Sequence, residues 1–239
     1  IDDYRIFILA FNQIWFKTVY KKKFFKKKHM NNSIQNLNDI KNKIKLKLNN
    51  SKKSKVPKII AVSKTFSMDK ILPLIDFGHN DFGENKVQET LDKWSEIKSK
   101  RDNIKLHFIG KLQTNKVKLA VKIFDYIHSV DSEKLARKIA DEIKKNKRKI
   151  KIFIQVNIGK EDQKSGIEIN QLETFYNYCL DLDLDVIGLM CIPPIDHNPE
   201  QYFLEMQSLN EKLKLSELSM GMSADYLKAT EYSSTFVRI

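Results

Sequence analysis

Residues 58–65 read KIIAVSKT, four apolar positions leading into a single lysine, Lys64. A run this short, rich in Ile and Val and preceded by Pro57, predicts a buried strand rather than a helix. The pleat has period two, so Ile60, Val62 and Lys64 share one face and Ile59, Ala61 and Ser63 the other. A strand covered on both faces belongs to a parallel α/β sheet, and Lys64 then stands at its C-terminal end, where such folds place their chemistry. Two readings of that lysine stay open at this point. It is either an end-of-strand lysine reaching for water or a partly desolvated amine able to condense with a carbonyl compound.

Similar apolar runs recur at 79–82, 104–109, 126–130, 150–158, 184–190, 218–220 and 235–239. Between them lie stretches with helical periodicity: 68–77 with Ser67 as N-cap, 83–94, 113–124, a helix capped by Asp131 or Ser132 that carries Leu135, Ile139 and Ile143 on one face, 171–182, 200–213 and 223–230. An amphipathic helix over 34–48 precedes them all. Strand and helix alternate with the spacing that βα units require, so the expected fold is α/β, a single (β/α)8 TIM barrel with an extra N-terminal helix. Because the sequence stops at Ile239, the last barrel helix is expected to be missing. An open doubly wound sheet competes with this reading, but its G-x-G-x-x-G fingerprint at the first turn is absent.

A chain of 239 residues suits one such barrel. No run is apolar enough to cross a bilayer, and no membrane partner is expected. Cys179 and Cys191 have no CxxC or histidine partner at ligand spacing, which argues against a zinc site or a disulfide framework and for a reducing, cytoplasmic setting. The net charge of +13 ordinarily suggests nucleic acid. Here the lysines are spread over every segment among many asparagines, and there is no RNP-type aromatic patch, helix-turn-helix or zinc finger, so the charge reads as compositional bias and no nucleic-acid partner is expected. Residues 1–29 do not match the rest: an apolar, aromatic stretch over 6–16 precedes six lysines among the eight residues 21–28. They read as a leader or an untranslated extension outside the fold, with organellar targeting as an alternative, and the domain proper is placed at 30–239.

Gly83, Gly110, Gly159, Gly166, Gly188 and Gly221 fall in or beside the predicted strand-to-helix turns, which also carry Glu84, Asn85, Gln113, Thr114, Asn115, Gln155, Asn157, Lys164, Ser165, Ser219 and Ser223. These are the donors and acceptors that a polar, phosphorylated ligand needs at the top of a barrel. His107 and His128 read as dispersed structural histidines without acidic partners, and nothing in the sequence lowers the pKa of Cys191.

The segments AVSKT at 61–65, FGENKVQE at 82–89, HFIGKLQTNK at 107–116, IQVNIGKEDQKSGI at 154–167, GLMCIPP at 188–194, LSMGMSADY at 218–226 and STFVRI at 234–239 resemble the pyridoxal 5'-phosphate homeostasis proteins (YggS/PROSC family), in order and at the family's spacing. The resemblance runs from about residue 31 to the end. It implies a barrel like the N-terminal domain of bacterial alanine racemase, with pyridoxal phosphate held as an internal aldimine on Lys64. It further implies Asn85 beside the cofactor ring, Ser219, Gly221 and Ser223 in a phosphate cradle at a helix N-terminus, and Arg238 facing the pyridine nitrogen. In the family the VRI segment continues into a glycine turn with further phosphate contacts, so with the sequence ending at Ile239 two readings stay open, an incomplete phosphate cradle or a fragment of a longer chain. The implied function is a non-catalytic carrier, with no catalytic or metal-binding residue, that maintains intracellular vitamin B6 and supplies PLP-dependent apo-enzymes, acting as a monomer. The alternative is an amino-acid racemase, which needs a base on each face of the bound substrate, usually a tyrosine from a second domain for which this sequence has no residues.

Overall fold

The computed structural model describes residues 31–51, 55–161, 163–194 and 197–239, so the expected boundary at residue 29 lies outside the described residues. The chain divides into two units, 1–40 and 41–239, and the strands all belong to the second. Strands β1 (Lys58–Val62), β2 (Asp81–Glu84), β3 (Lys105–Phe108), β4 (Tyr126–Val130), β5 (Lys151–Gln155), β6 (Asp185–Met190), β7 (Glu217–Met222) and β8 (Phe236–Arg238) pair in sequence order and close into a barrel. Every pairing is parallel, and closure sets Lys58 of β1 opposite Phe236 of β8 and Ile60 opposite Arg238. Helix α1 (Asn32–Ser51) precedes the barrel, and α2 (Met68–Asp76), α3 (Val87–Lys100), α4 (Val117–Ile123), α5 (Glu133–Asn146), α6 (Leu172–Asp181), α7 (Glu200–Lys212) and α8 (Tyr226–Glu231) connect successive strands.

Period-two alternation sorts the strand residues into two layers. Ile60, Tyr126, Phe153, Met190 and Phe236 pack together in the barrel interior. Phe82, Leu106, Phe108, Ile127, Ile152, Ile154 and Leu189 point the other way and bury themselves with helix residues such as Trp94, Val121, Ile139 and Phe203. Helix α5 shows how a sequence pattern becomes a boundary. Ser132 caps it by accepting from the Leu135 amide at 3.4 Å, Leu135, Ala136 and Ile139 form its buried stripe, and Lys147 ends it in the left-handed region at φ +50°.

Two sequence readings change. Gly83 and Gly221 are the penultimate residues of β2 and β7, beside the turns, whereas Gly188 lies inside β6. Gly188 is required by close approach: a Cβ there would overlap the Glu217 carbonyl oxygen of β7 and lie 2.6 Å from its carbon. The predicted helix at 223–230 begins only at Tyr226 and has six residues, because the Asp225 side chain turns back to accept from the Met222 amide at 2.6 Å.

Candidate functional site at the barrel mouth

A cavity of about 600 Å³ opens at the C-terminal ends of the strands. Its lining draws on nearly every strand: Val62 from β1, Asn85 and Ile109 just beyond β2 and β3, Gln155 from β5, Ile192 beyond β6, Met222 and Ser223 at and after β7, and Arg238 from β8. Lys64, Lys111, Lys164 and Ser165 complete a wall that is cationic and polar above an apolar floor. The segment after β5 folds back along the mouth through bonds from the Asn157 amide to the Ile167 carbonyl and from the Ile167 amide to the Gln155 carbonyl, at 3.0 and 2.8 Å.

Lys64 sits two residues past the end of β1 and is exposed, which agrees with the first of its two readings, a lysine at the strand end that reaches water. The last bonds of β1 run from the Val62 amide to the Ile239 carbonyl and from the Ser63 amide to the Gly83 carbonyl, and the chain then turns sharply, with Thr65 at φ +66°, an unfavourable region for a β-branched residue. What holds that turn is a buried cluster. The Lys93 ammonium donates to the Ser63 carbonyl at 2.9 Å and the Phe66 carbonyl at 3.2 Å, clasping Lys64 between them in sequence. Lys93 pairs in turn with Glu84 at 2.8 Å, and the same Glu84 oxygen accepts from the Ser63 hydroxyl at 2.7 Å and the Trp94 indole at 2.9 Å. Glu89 accepts from the Thr65 amide at 3.0 Å.

On the neighbouring strand β8, Arg238 is buried, donating to the Ser219 carbonyl and hydroxyl at 2.7 Å each and to the Cys191 carbonyl at 2.8 Å. Ser219 also bonds His128, and His128 bonds His107, each at 2.9 Å. His107 reaches the Asp81 carboxylate at 3.0 Å. These histidines are therefore adjacent and have an acidic partner, contrary to the sequence reading. Burial holds both imidazoles below the ordinary histidine range, His128 far below, where the neighbouring His107 and Arg238 charges act in the same direction. Burial also pushes the Asp81 carboxyl up, but the His107 bond and the charge of Lys58 outweigh it and leave it below the ordinary aspartate value.

A pH dependence follows with a definite sign. Above pH about 6.5 the two histidines are neutral in both the folded and the unfolded chain, so they contribute no slope. As pH falls through that unfolded value, the unfolded chain takes up protons that the folded barrel refuses, and stability is lost, more through His128 than through His107, whose bond to Asp81 opposes the shift. Urea unfolding at pH 7.5, 6.5 and 5.5 checks this: the midpoint is expected to hold and then drop, whereas a flat profile in the wild-type chain would show that these imidazoles are not buried neutral.

The family model described as "Alanine racemase, N-terminal domain" matches residues 35–239. The chain is 39% identical over 192 residues to a "Pyridoxal phosphate homeostasis protein" of Aquifex aeolicus, covering 76% of this chain and 83% of that one. This chain belongs to the pyridoxal phosphate homeostasis proteins, within the alanine racemase N-terminal domain family. A human protein of the same name is 38% identical over 205 residues, covering 77% of this chain and 74% of its own. Among solved structures, PipY of Synechococcus elongatus, with PLP bound, superposes with a TM-score of 0.71 at 32% identity, over 76% of this chain and 89% of that one. An alanine racemase of Clostridium difficile, at 15% identity and a TM-score of 0.60, shares the fold.

Within this homeostasis-family barrel the predicted site residues separate into two groups. Lys64, Asn85, Ser223 and Arg238 line one cavity. Ser219 and Gly221 do not. Ser219 is fully buried, its hydroxyl engaged by His128 and Arg238, and a Cβ at Gly221 would meet Ala229 at 2.6 Å and Tyr226 at 3.0 Å, so that glycine permits α8 to pack on β7. The helix N-terminus expected beneath a phosphate is likewise displaced to Tyr226. Sequence reasoning counts Glu84 only among the polar turn residues and misses Lys93, whose partnership with Glu84 joins β2 to α3 beneath the Lys64 turn. The thiols of Cys179 and Cys191 are pushed up to about 12 by burial, which keeps both from thiolate chemistry near neutral pH.

Proposed function

We propose that this chain binds pyridoxal 5'-phosphate in the barrel-mouth cavity and holds it without catalytic turnover, limiting the free aldehyde and supplying the cofactor to apo-enzymes, and so maintaining vitamin B6 homeostasis. The observation that carries this reading is the convergence in one cavity of the Lys64 amine, Asn85 and the buried Arg238 guanidinium. The Asn85 side-chain oxygen fits a ligand for a further reason: it is buried without a hydrogen-bond partner among the described residues, and a Cβ at Gly110 would come within 2.6 Å of the Asn85 carbonyl oxygen, so glycine keeps that residue in place. A buried acceptor of this kind is satisfied by a ligand hydroxyl.

When bound, pyridoxal phosphate supplies an aldehyde that condenses with a primary amine and a pyridine ring that withdraws electrons. Lys64 presents the amine. Arg238, permanently protonated, disfavours a second positive charge on a facing ring nitrogen and so weakens electron withdrawal. Ser223, with Lys164 and Ser165 across the mouth, offers donors to a phosphate. The relatives' shared name and the PLP-bound PipY structure support this reading.

The cavity wall also bears on the racemase alternative. Among the described residues its lining includes no tyrosine, histidine, cysteine or carboxylate to act as a base opposite Lys64. Incubated with L-alanine in D2O, the PLP-loaded protein is expected to leave the α-proton unexchanged, and mixed with an apo-aminotransferase it is expected to restore that enzyme's activity. Exchange at the α-carbon would identify a catalyst, and retention of the cofactor in the presence of the apo-enzyme would remove the carrier role.

A further inference from the structure

Arg238 is 4% exposed and, among the described residues, has no carboxylate within ion-pair distance; its three bonds go to the two oxygens of Ser219 and to the Cys191 carbonyl. A guanidinium buried on neutral partners alone is costly, because hydration is lost without a compensating charge. The compensation lies along the barrel interior. From the Ser219 hydroxyl a file of bonds passes to His128 Nδ1 at 2.9 Å, from His128 Nε2 to His107 Nδ1 at 2.9 Å, and from His107 Nε2 to Asp81 Oδ1 at 3.0 Å. Asp81 is the first residue of β2, at the end of the barrel away from the cavity.

The chemistry of the two ends fixes the direction of every proton. A carboxylate only accepts and a guanidinium only donates. With both imidazoles neutral, His107 must therefore carry its proton on Nε2 for Asp81, leaving Nδ1 to accept from His128 Nε2–H. His128 Nδ1 then accepts from the Ser219 hydroxyl, whose oxygen accepts from Arg238. The opposite arrangement would set a lone pair of His107 against the carboxylate. Ring stacking of His107 on Tyr126 at 4.2 Å and of His128 on Phe153 at 4.3 Å holds both imidazoles to these directions. All the dipoles point one way, so each bond strengthens the next and the negative end of the file faces the guanidinium.

We propose that Asp81, His107, His128 and Ser219 are positioning residues, a one-way hydrogen-bond file through the barrel that holds Arg238 in the cavity wall while leaving its charge available to the bound ligand. A carboxylate in direct contact would neutralise that charge locally; the file fixes the side chain without doing so. The role at the ligand rests on the reading of the cavity as a PLP site.

The test has two readouts. In the apo protein at pH 7, imidazole 15N spectra are expected to show both His107 and His128 as neutral Nε2–H tautomers; an Nδ1–H tautomer or an imidazolium at either would overturn the file. In the protein loaded with pyridoxal phosphate, Asp81→Ala, which removes the terminal acceptor of the file and does not line the cavity, is expected to shift the visible band of the bound cofactor and raise its apparent Kd about fivefold, the equivalent of one neutral hydrogen bond. Ser219→Ala, which leaves Arg238 its bond to the Ser219 carbonyl, is expected to do the same, and in both variants borohydride still traps the adduct at Lys64. Variants that unfold more easily but keep the wild-type band and Kd would make the file structural and overturn the proposal. No adduct in the wild-type protein would instead defeat the reading of the cavity, and the file's role at the ligand with it, while the tautomers decide the direction of the file on their own.

Discussion

Lys64→Ala is expected to abolish the borohydride-trapped adduct and to weaken pyridoxal phosphate binding on the order of 100-fold or more, at least about 2.7 kcal/mol. The reason is chemical rather than architectural. Lys64 is exposed in a turn beyond β1, so its truncation opens no void in the core, and the melting temperature is expected to stay close to that of the wild type. What is removed is the primary amine at the cavity mouth. Lys64→Arg separates amine from charge: it keeps a cation in place but no group that condenses with an aldehyde, and it is expected to lose the adduct just as alanine does. Equal trapping in wild type and Lys64→Ala would move the attachment to another lysine and overturn the assignment.

Glu84→Ala is expected to cost 3 to 5 kcal/mol, roughly the loss that accompanies breaking a buried ion pair from one side. Glu84 is fully buried, and one of its oxygens receives the Lys93 ammonium, the Ser63 hydroxyl and the Trp94 indole. Without it Lys93, whose side chain is only 10% exposed, keeps Glu89 at the longer distance of 3.4 Å as its one carboxylate among the described residues. The effect should reach the ligand as well, since Lys93 also holds the carbonyls of Ser63 and Phe66 on either side of the Lys64 turn. Urea unfolding checks the first part through a lower midpoint at unchanged slope. Glu89→Ala, at the exposed end of the cluster, is expected to cost under about 1 kcal/mol. A Glu84→Ala loss that small would mean that the cluster does not secure the turn.

The barrel was legible because its signals are local and repeated. Short Ile- and Val-rich runs, capped helices and regular spacing each point to βα units, and closure into eight strands follows from their number. Reading KIIAVSKT correctly located the first strand and the end at which Lys64 stands, but a period-two pattern carries no information on where the ladder stops, and the strand ends at Val62 rather than running on to the lysine. Asn85, Ser223 and Arg238 were found through motif resemblance and do meet in the cavity. Ser219 stands apart from them because the motif fixes its position on β7 without fixing its depth in the barrel; it pairs with Phe236 in the interior layer and bonds His128. The histidine file was invisible for a related reason. Asp81, His107, His128 and Ser219 are contributed by separate strands and meet only when the barrel closes. The alternation of His107 with Leu106 and Phe108, and of His128 with Ile127, was the available clue, since it places both rings out of phase with the apolar layer that faces the helices.

The most direct measurement is to mix the purified apo chain with pyridoxal phosphate, record the visible spectrum, reduce with borohydride and map the modified peptides by mass spectrometry. A binding band together with one dominant modified peptide, the one containing Lys64, is the predicted result. Modification scattered over the many surface lysines, or no band from a folded sample, would contradict the assignment of the barrel mouth as the cofactor site.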